Sequence, residues 1–435
     1  MRPFPKDIIY FSTADWDNPT WTNNQHMASR LAGLGFRILY VESLGLRKPS
    51  ATGRDISRIF KRFSKGIRGI KEVQKNVWVY SPMVIPLHTR ASIRRTNRKI
   101  LISSIRHHAR HIGFHDPIFW TYNPLTVDLS GNFNEALAVY FCVDNLAASP
   151  SLPAKLISAA EEKLSGNADL IFTTHQNLQE RLSRWNPDNT YYLPNVADFD
   201  HFSSAGQPGK IPDDLSAIPG PRIGFIGAIS NYKIDFECIS HIAEARKDWH
   251  WIMIGQIGEG QSETSIDLLR KPNIHFLGTR PYQSLPDYLR GIDVAVLPNR
   301  LNDYTASMFP MKFFEYLSAG KPVVSTDLPA LRSYSDVCSI AETPEAFTQA
   351  IARILNGKSP DMNLRLKTAR ENTWEARMEQ TLKILTQKWE QKNRNKRKEL
   401  TPSIKSKIII WEGQQNISGG QRAALNIADR LKDKF

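Results

Sequence analysis

The chain has 435 residues, 41% apolar and 23% charged, enough for two or three domains with their own cores and ordinary for a soluble globular protein. Its 57 Lys plus Arg against 43 Asp plus Glu leave a net charge of +14, which calls for an acidic partner. No stretch reaches the roughly 20 apolar residues of a membrane span, the opening Met1–Asp7 runs straight into a strand, and Cys142, Cys238 and Cys338 are too scattered for a metal or redox pair. A secreted or integral protein is therefore not expected; the reading is a cytoplasmic one, with the cysteines in the core.

Strands and helices alternate in the manner of open parallel sheets. The first strand is Ile8–Phe11, followed by a loop rich in Asp, Asn, Pro and Trp and a helix from about Asn24 to Leu34. Gly35 stops that helix, and Arg37–Glu42 makes the next strand. From Arg54 to Lys71, Ile56, Ile59, Phe60, Phe63, Ile67 and Ile70 follow a helical stripe while basic residues fill the rest, opposed by Asp55. Such a helix suits an anionic lipid surface, each basic residue contributing about 1 kcal/mol. It equally reads as a domain helix with a core stripe and a solvated far face. Arg58, Lys61, Arg62 and Lys65 mark the candidate membrane or acceptor surface, and a second basic stretch, Arg90 to His111, adds to it. No nucleic-acid motif accompanies the charge, so nucleic acid is not expected as a partner.

Further strands are Val77–Tyr80, Ile118–Trp120, Ala138–Phe141 and Leu170–Thr173. Pro, Gly and Ser crowd His201–Arg222, which places the interdomain linker there. A second unit opens with Arg222–Gly227 and continues through Trp251–Gly255, Ile274–Gly278 and Val294–Leu297. The domain plan is a first doubly wound domain over 1–205, a linker over 206–221, a second doubly wound domain over 222–365, a return helix over 366–394, and a charged tail over 395–435. Two such domains facing across a cleft put ligands at the carboxyl ends of the strands.

The segment Ser307–Thr326 is the most informative. Pro310 suits the first helical position, where its missing N–H would be unpaired anyway; Gly320 ends the helix and Pro322 keeps it ended. Pro310, Phe313, Phe314 and Leu317 share a core face, whereas Lys312, Glu315, Tyr316 and Ala319 share a face available for chemistry. A lysine in the first turn opposes the helix dipole and costs roughly 0.3 kcal/mol or more unless an anion binds there. With free N–H groups it would make a diphosphate site, and one turn later the Glu315 carboxylate can accept two hydrogen bonds from a ribose. Spacing alone leaves open an exposed i,i+3 ion pair on an ordinary helix.

The run Pro310–Val324 resembles the donor-site signature of glycosyltransferase family 4, retaining enzymes of the GT-B fold, in which two doubly wound Rossmann-like domains face each other across a cleft. The resemblance implies that Glu315 binds the ribose of the nucleotide-sugar. The family places a sugar-contacting glutamate eight positions upstream, where this chain has Ser307. That departure resembles a branch with a proline-x-lysine turn, here Pro310 and Lys312, similar to glycosyltransferases of teichuronic-acid and capsular polysaccharide biosynthesis. Gly224–Gly227 followed by Lys233 resembles the family's glycine loop and diphosphate-binding lysine; glycine lets backbone N–H groups approach phosphate, and a lysine can neutralise a leaving pyrophosphate. Asn273–Gly278, with His275 and Leu277, resembles the stretch whose backbone meets the base, Leu193–Phe202 the interdomain signature, and Trp374–Lys392 the helix that returns to the first domain.

The first domain is the acceptor side in this resemblance. Asp144, past the strand Ala138–Phe141 and ahead of an expected helix, reads either as the carboxylate that orients or deprotonates an acceptor hydroxyl or as a helix N-cap. Asp15, Asp17, Asn23, Asn24 and His26 belong to the first strand-to-helix connection, which in the family lies beside donor phosphates and acceptor; His26 is a catalytic candidate with Asp144 and Lys312, or a structural histidine. No metal cluster is visible, consistent with cationic side chains handling the leaving diphosphate. At the far end, a strand Lys407–Trp411 and a following helix mirror the N-terminus at an offset of 400, as in Ile8/Ile408 and Leu31/Leu431, and resemble the truncated start of a second module of the same kind.

The resemblance implies a metal-independent hexosyltransferase with no tightly bound cofactor, using a UDP- or GDP-sugar and a glycan or lipid-linked acceptor in cell-surface polysaccharide biosynthesis, and the basic charge adds a peripheral place on the inner face of the membrane. The alternatives are a nucleotide-sugar epimerase of the same fold and a non-catalytic sugar-nucleotide-binding relative.

Overall fold

The computed structural model describes residues 3–18, 21–44, 69–82, 84, 91–150, 152–258 and 264–411. Arg58, Lys61, Arg62 and Lys65 lie outside those residues. The chain divides into two compact units, Met1–Thr381 and Leu382–Phe435.

The first lobe of the larger unit is built on β1 (Asp7–Phe11), β2 (Arg37–Val41), β3 (Ile70–Gln74), β4 (Val77–Tyr80), β5 (Ile118–Thr121), β6 (Leu137–Cys142), β7 (Leu170–Thr173) and β8 (Thr190–Tyr192). They form one eight-stranded sheet in the order β3-β4-β2-β1-β5-β6-β7-β8. Every pair is parallel except β3 with β4, a hairpin turned at Asn76, whose positive φ of 68° asparagine tolerates. Ile70 and Lys71 therefore belong to an edge strand and not to the end of the expected basic helix. The helices of this lobe are α1 (Asn23–Gly33), α2 (Ala91–His111), α3 (Ala154–Asn167) and α4 (Gln176–Ser183). Ile9, Phe11, Leu39 and Val41 pack against Leu101 and Ile105 of α2, while Tyr10, Tyr40 and Trp120 stack in a buried row on the other face.

After α5 (Phe199–Ser203) and α6 (Asp213–Ser216), the second lobe is built on β9 (Arg222–Ile226), β10 (His250–Ile254), β11 (Ile274–Gly278), β12 (Val294–Leu297), β13 (Val323–Thr326) and β14 (Ser339–Ala341). The order is β11-β10-β9-β12-β13-β14, all parallel, so strand succession reverses between β9 and β12. That reversal opens a crevice at the carboxyl edge. Its helices are α7 (Phe236–Ala245), α8 (Leu285–Arg290), α9 (Lys312–Ser318), α10 (Pro344–Leu355) and α11 (Met362–Glu371). Trp251 and Met253 face a core with Ile239 of α7 and Ile351 of α10, whereas Ile252 and Ile254 face another with Leu289 of α8 and Phe313 of α9. This period-two alternation with both faces apolar is what a parallel sheet covered on two sides requires.

The lobes are joined twice. The chain leaves β8 through Leu193–Ala197 and comes back through Asn372 and Thr373 into α12 (Trp374–Trp411). The crossings meet where Ala197 pairs with Thr373 and its N–H donates to the Asn372 carbonyl at 3.2 Å. The expected strand Lys407–Trp411 is instead the last described stretch of α12. A lone strand would leave its N–H and C=O groups unpaired, and a helix pairs them within the segment. The rest of the expected terminal module, 412–435, lies outside the described residues. Among the described residues no helix is long and apolar enough to cross a membrane.

Candidate functional site

The loops after β9, β10 and β11 meet through glycines. Gly227 N–H donates to the Ile254 carbonyl and Gly255 N–H to the Gly278 carbonyl, both at 2.9 Å. Gly255 has φ +146°, and a Cβ there would fall 1.8 Å from the Gly227 carbonyl oxygen. Only glycine lets the two loops touch, and the contact holds bare backbone at the carboxyl edge. Gly227 lies in the loop after β9, in contact with Gly255, a residue the sequence reading did not offer as a ligand contact.

The helix α9 stands against this edge. It begins at Lys312, with Met311 as N-cap, so Pro310 precedes the helix and does not open it. The carbonyl of Pro310 accepts from Phe313 N–H at 3.1 Å, a tight turn that delays the helix start. At the other end Gly320, with φ 69°, donates to the Leu317 carbonyl and Lys321 N–H to the Tyr316 carbonyl, a Schellman closure. Tyr316 and Ala319, expected on the chemical face, are instead core residues. The Tyr316 hydroxyl accepts from Ile226 N–H at 2.8 Å and ties α9 to the end of β9, because a helix lying across a sheet edge buries more than one stripe.

What remains for chemistry is Lys312 and Glu315. The ammonium lies 2.6 Å from Glu315 Oε2, and the side chains are 16% and 4% exposed. The pair is therefore buried and not the exposed one that spacing left open. Burial raises the Glu315 carboxyl above the ordinary carboxylate range, and Lys312 opposes that rise. Oε1 of Glu315 accepts from no described residue, which leaves one carboxylate oxygen for a ligand.

Around this pair lie groups from both lobes. Asp198 caps α5 by accepting from His201 N–H and forms an ion pair with Arg30 of α1 at 3.0 Å. The His201 ring stacks on Tyr282 at 4.6 Å. His26 packs among Trp21, Tyr282 and Trp374, with ring centroids 5.3, 5.3 and 5.4 Å away. Burial first, then Arg30 and Lys312, pull its pKa down to about 3, so it is a neutral imidazole at any physiological pH. The structure thus brings His26 and Lys312 into one electrostatic environment from opposite lobes.

Trp21 precedes the Thr22 N-cap and packs on His26 in the manner of a hydrophobic staple, while Gln25 Oε1 accepts from both the N–H and the hydroxyl of Thr22. That capping fixes Asn23 and Asn24 inward. Asn24 Oδ1 accepts from the Ser12 hydroxyl at 2.9 Å, and Asn23 Oδ1 from the Tyr122 hydroxyl at 2.9 Å. Asn23 Nδ2 donates to Asn195 Oδ1, and Asn195 Nδ2 to the carbonyl of Phe309, next to Pro310.

The remaining sequence candidates are more dispersed. Lys233 lies in the turn before α7, its ammonium 5.4 and 5.1 Å from the ring centres of Tyr232 and Tyr304. Ser307, buried, follows a loop pinned by Asn302, whose Oδ1 accepts from Tyr304 and Thr305 N–H groups. His275 lies within β11, its ring nitrogen 3.0 Å from that of His250, and burial and His250 lower its pKa. Leu277 is partly buried against the core beneath α9. Asp144 is half-buried past β6, two strands from β1; a single 3-10 turn, Leu146–Ala148, follows in place of a helix, and its N-cap is Asn145.

Sequence reading missed Asn195, Arg30 and His175. Their local signals were weak: an asparagine in a loop, one more basic residue on a helix, and a histidine after a strand. His175 is buried at the carboxyl end of β7 and caps α4, its Nδ1 accepting from Asn177 N–H, so Nε2 carries the proton and has no described partner. Burial lowers its pKa to about 4. Two residues on, Asn177 Nδ2 donates to the Ala306 carbonyl at 2.9 Å, beside Ser307.

Residues 220–357 match the family described as Glycosyl transferases group 1. Over 276 residues, 59% of this chain and 68% of the relative, the sequence is 28% identical to TuaH of Bacillus subtilis (strain 168), which carries the provisional designation of a teichuronic acid biosynthesis glycosyltransferase. Sucrose-phosphate synthase (tll1590) from Thermosynechococcus elongatus aligns over 88% of this chain and 98% of its own, with a TM-score of 0.65 and 15% identity. Anabaena Alr3699/HepE in complex with UDP-glucose aligns over 89% of this chain and 99% of its own, with a TM-score of 0.60 and 14% identity. The fold is GT-B, with two Rossmann-like lobes, and residues 220–357 of the second lobe are similar to the group 1 glycosyl transferase family.

Proposed function

We propose that the protein is a retaining, metal-independent hexosyltransferase of glycosyltransferase family 4 that moves a sugar from a UDP- or GDP-sugar to a glycan or lipid-linked acceptor in cell-surface polysaccharide biosynthesis. The observation that carries this reading is the buried Lys312–Glu315 pair at the crevice, inside the segment that matches the group 1 family. The similarity to TuaH supports the pathway, and the UDP-glucose complex of HepE supports the donor class.

In this reading Glu315 Oε1 accepts from the ribose hydroxyls, while the ammonium of Lys312, held by Oε2, faces the diphosphate. As the bond from the anomeric carbon to the diphosphate breaks, negative charge grows on the leaving oxygen, and Lys312 and Lys233 offset it without a metal ion. The acceptor hydroxyl attacks from the face the diphosphate leaves, which retains configuration, with Asp144 orienting it or taking its proton. His26, held neutral, offers a hydrogen bond without a competing charge. The bare backbone at Gly227, with Ser307 and Pro310 beside it, receives the phosphates and sugar, and the stretch around His275 and Leu277 receives the base. Attachment to an anionic membrane through Arg58, Lys61, Arg62 and Lys65 belongs to the same proposal and rests on the net charge of +14.

The test is a thermal-shift panel of UDP, GDP, ADP and their sugars on wild type and Glu315→Ala, followed by nucleotide release on acceptor addition. Stabilisation by one nucleotide, lost in the variant, is expected, with release that depends on the acceptor. Release without an acceptor, or binding without release, would turn the reading to an epimerase or a non-catalytic relative.

A further inference from the structure

The two crossings between the lobes flank a half-open pocket of about 260 Å³, lined by Tyr192 and its neighbours from the first crossing and by Thr373, Arg377 and Gln380 from the second. It shares no lining residue with the Lys312–Glu315 cluster. Arg377, in the opening turns of α12, is 6% exposed. Its Nη1 donates to Gln380 Oε1 at 3.3 Å, and its Nε has no described partner. No described carboxylate pairs with it. The groups that bear on it electrically are the hydroxyls of Tyr192 and Tyr334, whose own pKa values burial raises, so both are neutral.

Other cations of this lobe junction have carboxylate or carbonyl partners, although Arg30 Nε and Arg365 Nε, like Arg377 Nε, have no described partner. Arg30 has Asp198, Lys312 has Glu315, and Arg365 donates to the carbonyls of Pro360 and Gly320. A guanidinium enclosed without a counter-charge is costly, and its planar fork matches oxyanions. The positive end of the α12 dipole adds to the attraction. Glu371, exposed at the pocket lining, disfavours an extended polyanion and restricts the site to one compact group. Tyr192, Thr373 and Gln380 of the lining carry further hydrogen-bond donors beside the fork, more than the two oxygens of a carboxylate can use, which favours phosphate.

We propose that this pocket is a phosphate site centred on Arg377, filled by free inorganic phosphate or by a phosphate group carried on an acceptor. Because its walls come from both crossings, an occupied site joins them and resists movement between the lobes.

The experiment is thermal melting of the full chain in sodium phosphate against sodium chloride of equal ionic strength, for wild type, Arg377→Gln and Gln380→Glu. A saturable rise with phosphate alone is expected in wild type, with affinity weakened about tenfold or more in both variants. Gln380→Glu sets a carboxylate against Nη1 and supplies the missing counter-charge internally, so it should melt higher than wild type without phosphate and lose the response. It keeps the test decisive if Arg377→Gln does not fold. Saturation by a sugar monophosphate at lower concentration than inorganic phosphate would assign the site to the acceptor, and the reverse order to the free ion. No saturable rise, or one that persists in Gln380→Glu and vanishes in Lys312→Gln, would overturn the proposal, the latter by placing the ion in the donor crevice.

Discussion

Asn195 donates its side-chain N–H to the Phe309 carbonyl at 2.8 Å while its Oδ1 accepts from Asn23 Nδ2 at 3.0 Å. One buried carboxamide thus connects the first helix of the first lobe to the residue before Pro310. Neither end of the group is interchangeable, since one side must donate and the other accept.

Asn195→Asp keeps the shape and the acceptor but turns an oxygen toward the Phe309 carbonyl. The variant is expected to lose about 1–3 kcal/mol at neutral pH. An ionised carboxylate enclosed there has its pKa raised, so the deficit should shrink as pH falls and the protonated group donates again. Urea midpoints at pH 7 and pH 5 check both statements; an unchanged midpoint at pH 7 would show that the bridge contributes nothing.

The Lys312–Glu315 pair should respond unequally to loss of either partner. Lys312→Met strands a carboxylate that is 4% exposed and is expected to cost about 3 kcal/mol, less at acid pH where Glu315 takes a proton. Glu315→Gln leaves an ammonium that reaches solvent, so it should cost about 1 kcal/mol. Equal midpoint losses in a double-mutant cycle would contradict the asymmetry of burial.

Two histidines predict the acid limb of stability. In the folded protein His26 is lowered from 6.5 to about 3 and His175 from 6.5 to about 4, chiefly by burial. Below about pH 6.5 the unfolded chain takes up protons that the folded chain refuses, so stability is full above that pH and falls on acidification. Each histidine contributes about 1.4 kcal/mol per pH unit to the slope. His175→Asn, which retains an N-cap acceptor, and His26→Phe, which fills the aromatic surround, should each flatten the limb between pH 6.5 and 4. Unfolding midpoints across that range give the slopes, and identical slopes in all three proteins would exclude both groups as its source.

The first strand, the helix closed by Gly35, the first four strands of the second lobe and the helix ended by Gly320 were legible, because each depends on alternation or on a terminating residue within a turn or two. The pairing of Lys312 with Glu315 at i,i+3 was legible for the same reason. Local reading also misjudged two segments. Ile408–Ile410 have strand propensity, yet the described backbone there is helical. Pro310 suits a helix start, yet the turn to Phe313 moves the start to Lys312.

Local pattern by itself determined the α/β alternation of both lobes and the helix that carries Lys312 and Glu315. The tertiary structure decided which of those side chains are buried and in what charge state. Tyr316 became a core anchor because β9 lies ninety residues before it in the chain and directly beside it in space. His26 became neutral because Trp21, Tyr282 and Trp374 converge on it from three segments. Periodicity and capping are set by neighbours along the chain, whereas desolvation and charge pairing are set by whatever packs nearby, and no local pattern records that.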